Sequence, residues 1–585
     1  MSRRIALAYV PTQVPCGDGD MQGDELWFPF SYGVHRVLAA IVEAFPDDEV
    51  KLFRFEPGNP DSSYGELAAF QPDVFGASCF VWSFPTLIEV ARRLKQERPE
   101  RLIVLGGPCA HPTVFDVPAY APFARYVDAL VPREGEECIV DVLALSKPDR
   151  AALGALPGVH APGLTGFRPS VRRSARRPLD ALPSPFRNGL YPSGITPHLE
   201  TFRGCPLSCT FCEWGTQENA TRVVSKDWLV QELETFRSLG ARAIYCVDAG
   251  INLNAKAFRN LVAAENEVHL LRDVAFSYMA YADYVRPEHV EFLSQIRVHR
   301  ASVGLQTTNQ EVLRRVSRRY DPQKFRDGVT QLADFSEVTV ELILGLPGDD
   351  PESFLRSVHH VLEMDDRLDI LVYRCLALPD GLLSRGQEDQ SLSFDPTNFE
   401  VTACLGWSER DLRETRERLE RLVEDVGGNV GEQWYHLRRR SPHKREAGLP
   451  ASAPVAREAA LEAAGTTPRP GGAPAPEIVN ALAASIRSAT RGAWNLRDVD
   501  LTEHGLLVRV HTATGELLLD VWEAVPNRPS FRVRDGLAWS YRGNPAAVAP
   551  NLLGLLTRTV DGSGHLASLL RGEIARTAQA RQAQL

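Results

Sequence analysis

The chain has 585 residues, ten cysteines, a formal net charge of -10 and a pI near 5.9. The cysteine density is too low for a secreted disulfide scaffold, no apolar run reaches the roughly 18 residues a membrane helix needs, and the acidic balance argues against broad nucleic-acid binding, which requires a positive face. The expectation is a multidomain protein of the reducing cytoplasm, with no membrane and no nucleic-acid partner; the start "MSRRIALAYVPTQVPCGDGD" has no small-residue cleavage site after its apolar run.

Residues 1–150 alternate strand-length apolar runs with amphipathic segments. "RIALAYV", "VKLFRF", "DVFGASCF", "RLIVLGG" and "VDALV" are β-branched or aromatic, whereas "YGVHRVLAAIVEAF" and "PTLIEVARRLKQERP" space their apolar residues at three and four. This order predicts a doubly wound, Rossmann-like parallel sheet that receives ligands outside the carboxyl ends of its strands. The loops to watch are Pro11 to Phe30, Ser78 to Ser83, Gly106 to Pro112 and Arg133 to Glu137.

After a Pro-rich connector (151–194), a second alternation fills 195–390 with "HLETF", "AIYCVDAG", "VAFSYMAYA", "RASVGLQ", "VTVELILGL" and "LDILVYRCLAL". Six β-then-α units in this length suit a partial (β/α)6 barrel, because a full eightfold barrel takes roughly 250 residues. A helical extension (391–437) follows. The Pro-, Ala- and Arg-rich stretch 438–476, with "RRRSPHKR" read as a solvated start, is a flexible linker. Residues 477–585 read as a small α+β domain. Its Trp494, Trp522 and Trp539 either form a core or close over the barrel mouth to select substrate.

One loop carries distinctive chemistry. "RGCPLSCTFCEWG" places Cys205, Cys209 and Cys212 at the spacing C-x-x-x-C-x-x-C, just after the first strand of the second alternation. Structural zinc wants four ligands, and Cys246 or a histidine is available as the fourth. Three thiolates alone suit a [4Fe-4S] cluster with one iron left open, and plain structural cysteines are the remaining reading.

This triplet, with Phe211 before its last cysteine, resembles the hallmark of the radical S-adenosylmethionine (SAM) superfamily. The resemblance extends over roughly 195–385, through "YCVDAGINLN", "ASVGLQTTNQEVLRRVSRRY" and "ELILGLPGDDPESF"; in "LALPDGLLSR", Asp380 stands where that family usually has glycine. It implies that Cys205, Cys209 and Cys212 hold a [4Fe-4S] cluster whose free iron chelates SAM, with a reducing flavodoxin or ferredoxin as electron donor. It also implies SAM contacts from Phe211, Asp248, Gly250 and Gly345, with Gln306 and Thr307 facing SAM or substrate. The alternatives at Asp248, Gly250 and Gly345 are ordinary strand-end turns.

A doubly wound domain ahead of such a barrel resembles the cobalamin-binding domain of cobalamin-dependent radical SAM enzymes, on "DVFGASCFVWSFPTLIEVARRLKQERPERLIVLGGPCAHP" and "VPREGEE". The resemblance implies that Gly106 and Gly107 lie against the corrin, that Ser78 and the turn with Glu134 and Gly135 line the nucleotide tail, and that Trp82 sits beneath the cobalt; Trp82 is also readable as a core residue. There is no Asp-x-His-x-x-Gly motif, and His35 and His111 read as packing or surface residues. The implied activity is C-methylation of an unactivated carbon in a natural-product precursor, small molecule or peptide, with methyl passing from SAM by way of methylcobalamin. Rearrangement or oxidation without methylation, polar methyl transfer, and a non-catalytic cobalamin or metal sensor are the alternatives.

Overall fold

A computed structural model describes residues 2–11, 32–163, 166–171, 173, 177–191, 196–214, 221–385 and 391–438, and the backbone of five strands between 495 and 541. Strands β1 (Arg4–Tyr9), β2 (Glu49–Arg54), β3 (Val74–Ser78), β4 (Leu102–Gly106) and β5 (Ala129–Val131) run parallel in the order β2-β1-β3-β4-β5. Successive residues of a strand face opposite sides, and both sides are covered. Ala6, Ala8, Phe75, Ile103 and Leu105 cluster with α3 (Phe84–Glu97). Ile5, Leu7, Val50, Leu102 and Val104 cluster with α1 (Tyr32–Ala44) and α4 (Glu136–Ala144). Two buried faces explain why these strands read as nearly continuous apolar runs. The short helix α2 (Tyr64–Phe70) is too brief for helical periodicity to register in the sequence.

The second half repeats the alternation. Strands β6 (His198–Leu199), β7 (Ala243–Cys246), β8 (Ala275–Ala280), β9 (Val298–Gln306), β10 (Glu337–Leu344) and β11 (Leu368–Arg374) pair in parallel, each with the next. All six coincide with runs read from the sequence. Five of the intervening helices begin on side-chain caps: Ser225, Asn254, Asn309, Asp321 and Asp350 each accept a bond from a first-turn backbone N–H, which satisfies a donor the helix cannot. One face of the sheet joins these helices in an apolar core that includes Phe236, Leu261, Val303, Val340 and Ile370.

The segment 391–437 is not purely helical. It holds α5 (Glu409–Val426) but also a ribbon of Ser393–Phe394 against Val401–Ala403, and β12 (Gly428–Val430) with β13 (Trp434–Leu437), which extends the sheet antiparallel beyond β11. Strands of two to four residues give period-2 alternation too little length to show. The linker beyond Arg438 lies outside the described residues. Of the C-terminal α+β expectation, five antiparallel strands are described (Asn495–Leu501, Gly505–Thr512, Gly515–Val525, Arg528–Asp535 and Ala538–Tyr541), and the helices fall outside. The last strand pairs with β2, so this meander continues the N-terminal sheet.

Candidate functional site

The carboxyl ends of the two parallel sheets face each other. From the N-terminal unit, the loop after β4 supplies Thr113, whose hydroxyl donates to the Pro379 carbonyl at 3.3 Å, and His111, whose Nε2 lies 4.0 Å from Asp380. Past β5, Arg133 reaches Asp380 at 3.6 Å. Pro379 and Asp380 follow β11 of the second sheet. The cysteine loop opens into this junction.

That loop is closed at its base by a two-stranded ribbon in which Phe202 pairs with Val223 and Arg203 with Arg222. Cys205 and Cys209 are buried and Cys212 is half-buried. The Cys212 amide donates to the Cys209 carbonyl at 3.2 Å, and Thr210 to Val316 at 3.1 Å, so the thiols sit on a tight turn anchored to the segment after β9. Arg385 clamps the loop from behind: its guanidinium donates to the carbonyls of Cys209 (3.0 Å), Cys212 and Asp380 (3.0 Å). A Cβ on Gly381 would stand 3.0 Å from the Phe211 carbonyl oxygen, so this clamp sits flush against the loop. Phe211 packs at the edge of the large core. Burial pushes the Cys205 thiol above its usual range, and the carboxyl of Glu213, beside Asp380, up to about 7. Among the described residues no three His, Cys, Asp or Glu side chains converge as ligands of a single ion.

Arg318 supplies the compensating charge. It is 8 % exposed; its Nη1 lies 3.9 Å from the Cys209 sulfur and donates to the Tyr281 hydroxyl at 3.2 Å, its Nη2 donates to the Gly304 carbonyl, and its guanidinium stacks 4.8 Å from the Tyr281 ring centre. A buried guanidinium beside cysteine sulfur stabilises thiolates and suits a second anion arriving there.

The strand ends around the loop divide in two. Asp248 is buried and committed: Thr201 donates to it through its amide (2.8 Å) and its hydroxyl, and burial pushes its carboxyl up to about 6. It therefore acts by holding the segment that leads into the cysteine loop. Thr307 is likewise tied, its hydroxyl donating to Asp349 at 2.8 Å. Gln306, Gly250 and Gly345 lie at or just past their strand ends and are buried. Gln306 closes β9 with a φ of 76° at a register shift against β10; a non-glycine residue in the left-handed region costs about 1–2 kcal/mol, and such strain collects at functional sites. Gly345, after β10, has a φ of 94°, which only glycine adopts without strain. A Cβ on Gly250 would meet the Tyr281 ring at 3.0 Å. Glu341, on the inner face of β10, has its carboxyl pushed up to about 7 by burial.

On the N-terminal side, Ser78 and Gly106 end β3 and β4, and Gly107 follows with a φ of 89°, its missing Cβ replaced by the Cys79 carbonyl. Trp82 is no core residue: it is 38 % exposed on the loop after β3 and stacks on Phe80 at 4.6 Å. His35 is buried between Tyr9 and Tyr191, whereas the His111 Nδ1 bonds Thr113 and its Nε2 faces Asp380 at 4.0 Å. Glu134 does not stand free: Arg203 (3.1 Å) and Arg222 hold its carboxylate. Gly135, the residue before α4, packs against Val37. Sequence reasoning missed Arg318, Arg385, Tyr281 and Glu341. Their only local signals are charge or an aromatic in otherwise ordinary runs, and Arg318 sits among other arginines that are exposed.

Comparison with known proteins agrees with this geometry. Residues 199–361 match the Radical SAM superfamily. The chain is 30 % identical over 340 residues to the 2-(S-pantetheinyl)-carbapenam-3-carboxylate methyltransferase of Streptantibioticus cattleyicolor, covering 54 % of this chain and 49 % of that one. It is 28 % identical over 338 residues to the cobalamin-dependent radical SAM methyltransferase TokK of Streptomyces tokunonensis, covering 54 % and 48 %. The chain thus spans about half the length of these curated relatives. Among solved structures, the cobalamin-dependent SAM radical enzyme OxsB, with aqua-cobalamin and SAM bound, shares the fold at a TM-score of 0.52, 15 % identity and coverage of 72 % and 67 %. TsrM from Kitasatospora setae, with cobalamin and a [4Fe-4S] cluster bound, does so at 0.51, 15 %, 68 % and 81 %. Over about half of its length, then, the chain is similar to cobalamin-dependent radical SAM methyltransferases, and residues 199–361 match the Radical SAM superfamily.

Proposed function

We propose that this chain is a cobalamin-dependent radical SAM methyltransferase that moves the methyl group of SAM to an unactivated carbon of a natural-product precursor. The observation that carries the reading is the cysteine loop opening where the carboxyl ends of two parallel sheets meet, since open α/β sheets bind ligands at those ends. In this reading residues 1–150 bind cobalamin and 195–390 form a partial barrel around SAM. Cys205, Cys209 and Cys212 hold a [4Fe-4S] cluster; Trp82, Gly106 and Gly107 line the corrin, and Ser78 its nucleotide tail. The residues present fit both groups. The three thiols sit on one turn clamped by Arg385, with the buried Arg318 guanidinium beside the Cys209 sulfur, and the N-terminal loops offer an open indole face and a glycine turn. When bound, the cluster supplies a low-potential electron and the corrin a methyl carrier.

The chain's own residues bind and orient. Arg318 is the cation for the SAM carboxylate, at a site buried enough for a charged hydrogen bond to count. Gln306, Gly250 and Gly345 form the strand ends that admit the rest of SAM, with Phe211 at the edge of the loop. Glu341, kept protonated toward neutral pH by burial, offers a hydrogen bond without adding charge inside the second sheet. Asp248 keeps the Thr201 segment fixed beneath the cysteine loop. Apolar packing behind the sheet excludes water from these groups.

The test is anaerobic reconstitution with iron, sulfide and cobalamin, then product analysis after SAM and a reductant are added. Both 5'-deoxyadenosine and S-adenosylhomocysteine are expected. S-adenosylhomocysteine alone would replace the reading with polar methyl transfer, and 5'-deoxyadenosine alone with a non-methylating radical enzyme. Neither product, with no iron retained, overturns it.

A further inference from the structure

Arg203 stands immediately before the glycine that opens the cysteine loop, and its guanidinium is surrounded by carboxylates from both halves of the chain. Within its own segment it donates to Glu200 at 2.6 and 3.1 Å. Across the junction it donates to Glu136, the first residue of α4, at 2.6 Å, and to Glu134 at 3.1 Å. Glu136 also faces Arg36 of α1 at 3.4 Å, and Arg36 and Glu136 are 2 % and 5 % exposed. Arg203 and Arg222 are direct cross-strand partners at the base of the loop. Like charges placed so are destabilising on their own. Here Glu134 of the N-terminal unit bridges both arginines and offsets that repulsion. Three arginines and three glutamates leave the network neutral, which its buried members Arg36 and Glu136 require. Burial alone would raise the Glu136 carboxyl, but Arg203 and Arg36 bring it down to about 2.

We propose that Arg203 and Glu136 are positioning residues: their ion pair fixes the cysteine loop against the carboxyl end of the N-terminal sheet and so sets the corrin and SAM sites in register. A surface pair between two units contributes little to their mutual placement. This pair is largely buried and tied into a network of four segments, and breaking one partner leaves an uncompensated charge in the interior. The inference rests on the functional reading above, because register matters only if two centres act in sequence on one SAM pool.

The experiment compares R203Q, R203K and E136Q with the wild-type holoenzyme. The primary readout is the ratio of S-adenosylhomocysteine to 5'-deoxyadenosine, together with iron content. The first product needs SAM and corrin aligned; the second needs only the cysteine site. The ratio is expected to fall by about 10- to 100-fold in R203Q and E136Q, the loss that a misplacement of about 1 Å brings, with R203K between them and wild type. An unchanged ratio with iron retained overturns the inference while the functional reading stands. Loss of iron with both products falling together also overturns it, in favour of a role in folding the loop alone. A second readout is hydrogen–deuterium exchange of the full chain without cofactors. Faster exchange is expected in E136Q at residues 200–212, and unchanged exchange there counts against the latch. If wild type makes neither product, the functional reading fails, and the exchange result still decides whether the pair holds the loop.

Discussion

Replacing Gly107 with alanine tests the geometry of the N-terminal loops, with Gly106 as its control. Gly107 has a φ of 89°, and a Cβ there would stand 2.7 Å from the Cys79 carbonyl oxygen and 3.1 Å from its nitrogen. These are backbone atoms, so no side chain can rotate away. Relief requires moving the segment that bonds Cys79 N to Gly106 O at 2.7 Å and Cys109 N to Cys79 O at 3.0 Å. The left-handed strain costs about 1–2 kcal/mol and each weakened bond about 1 kcal/mol, so G107A should lose about 3 kcal/mol. In G106A the nearest atoms are at 3.7 and 3.8 Å, ordinary contacts, and the change should stay within about 0.5 kcal/mol. Urea unfolding, with the transition of β3 and β4 assigned by hydrogen exchange, measures both. Cobalamin titration followed by visible absorbance should weaken at least tenfold for G107A. If G107A unfolds like G106A, the account of this turn is wrong.

Three further outcomes are expected. C205A, C209A and C212A should each lose reconstituted iron while C246A keeps it; equal loss in C246A would mean a four-cysteine site. R318M removes a charged donor worth about 1.5–3 kcal/mol, so SAM binding measured by equilibrium dialysis should weaken about 10- to 150-fold, and unchanged affinity would remove Arg318 from the SAM site. Asp248 titrates near 6 in the folded chain against an ordinary carboxylate value near 4. A raised pKa means its contribution is full below about pH 4 and is lost as pH rises through about 6, roughly 3 kcal/mol in all. D248N should therefore flatten the stability profile between about pH 4 and 6, and an unchanged slope in urea titrations would show that another group is responsible.

Much of the fold was legible because its signals are local. Each of the eleven parallel strands coincides with an apolar run read from the sequence, and the cysteine spacing located the loop. The left-handed turns at Gly107 and Gly345 were legible because glycine itself carries that backbone signal. Trp82 shows the limit: as one aromatic in an apolar run it read equally as core, and only its place on an open loop decided between the two. Glu134 shows another, since its sequence neighbourhood says nothing about the arginines that hold it.

The sequence by itself determined the order of strands and helices and the presence of a three-thiol turn, because side-chain periods of two and 3.6 and the cysteine spacing are properties of neighbouring residues. Only the tertiary structure decided which charges meet. Arg203 finds Glu136 across 67 residues, Arg318 finds Cys209 across 109, and Arg385 finds Cys212 across 173. Those pairings depend on two sheets bringing their carboxyl ends together. No local pattern encodes that, because burial makes the charges choose partners by proximity in space rather than along the chain.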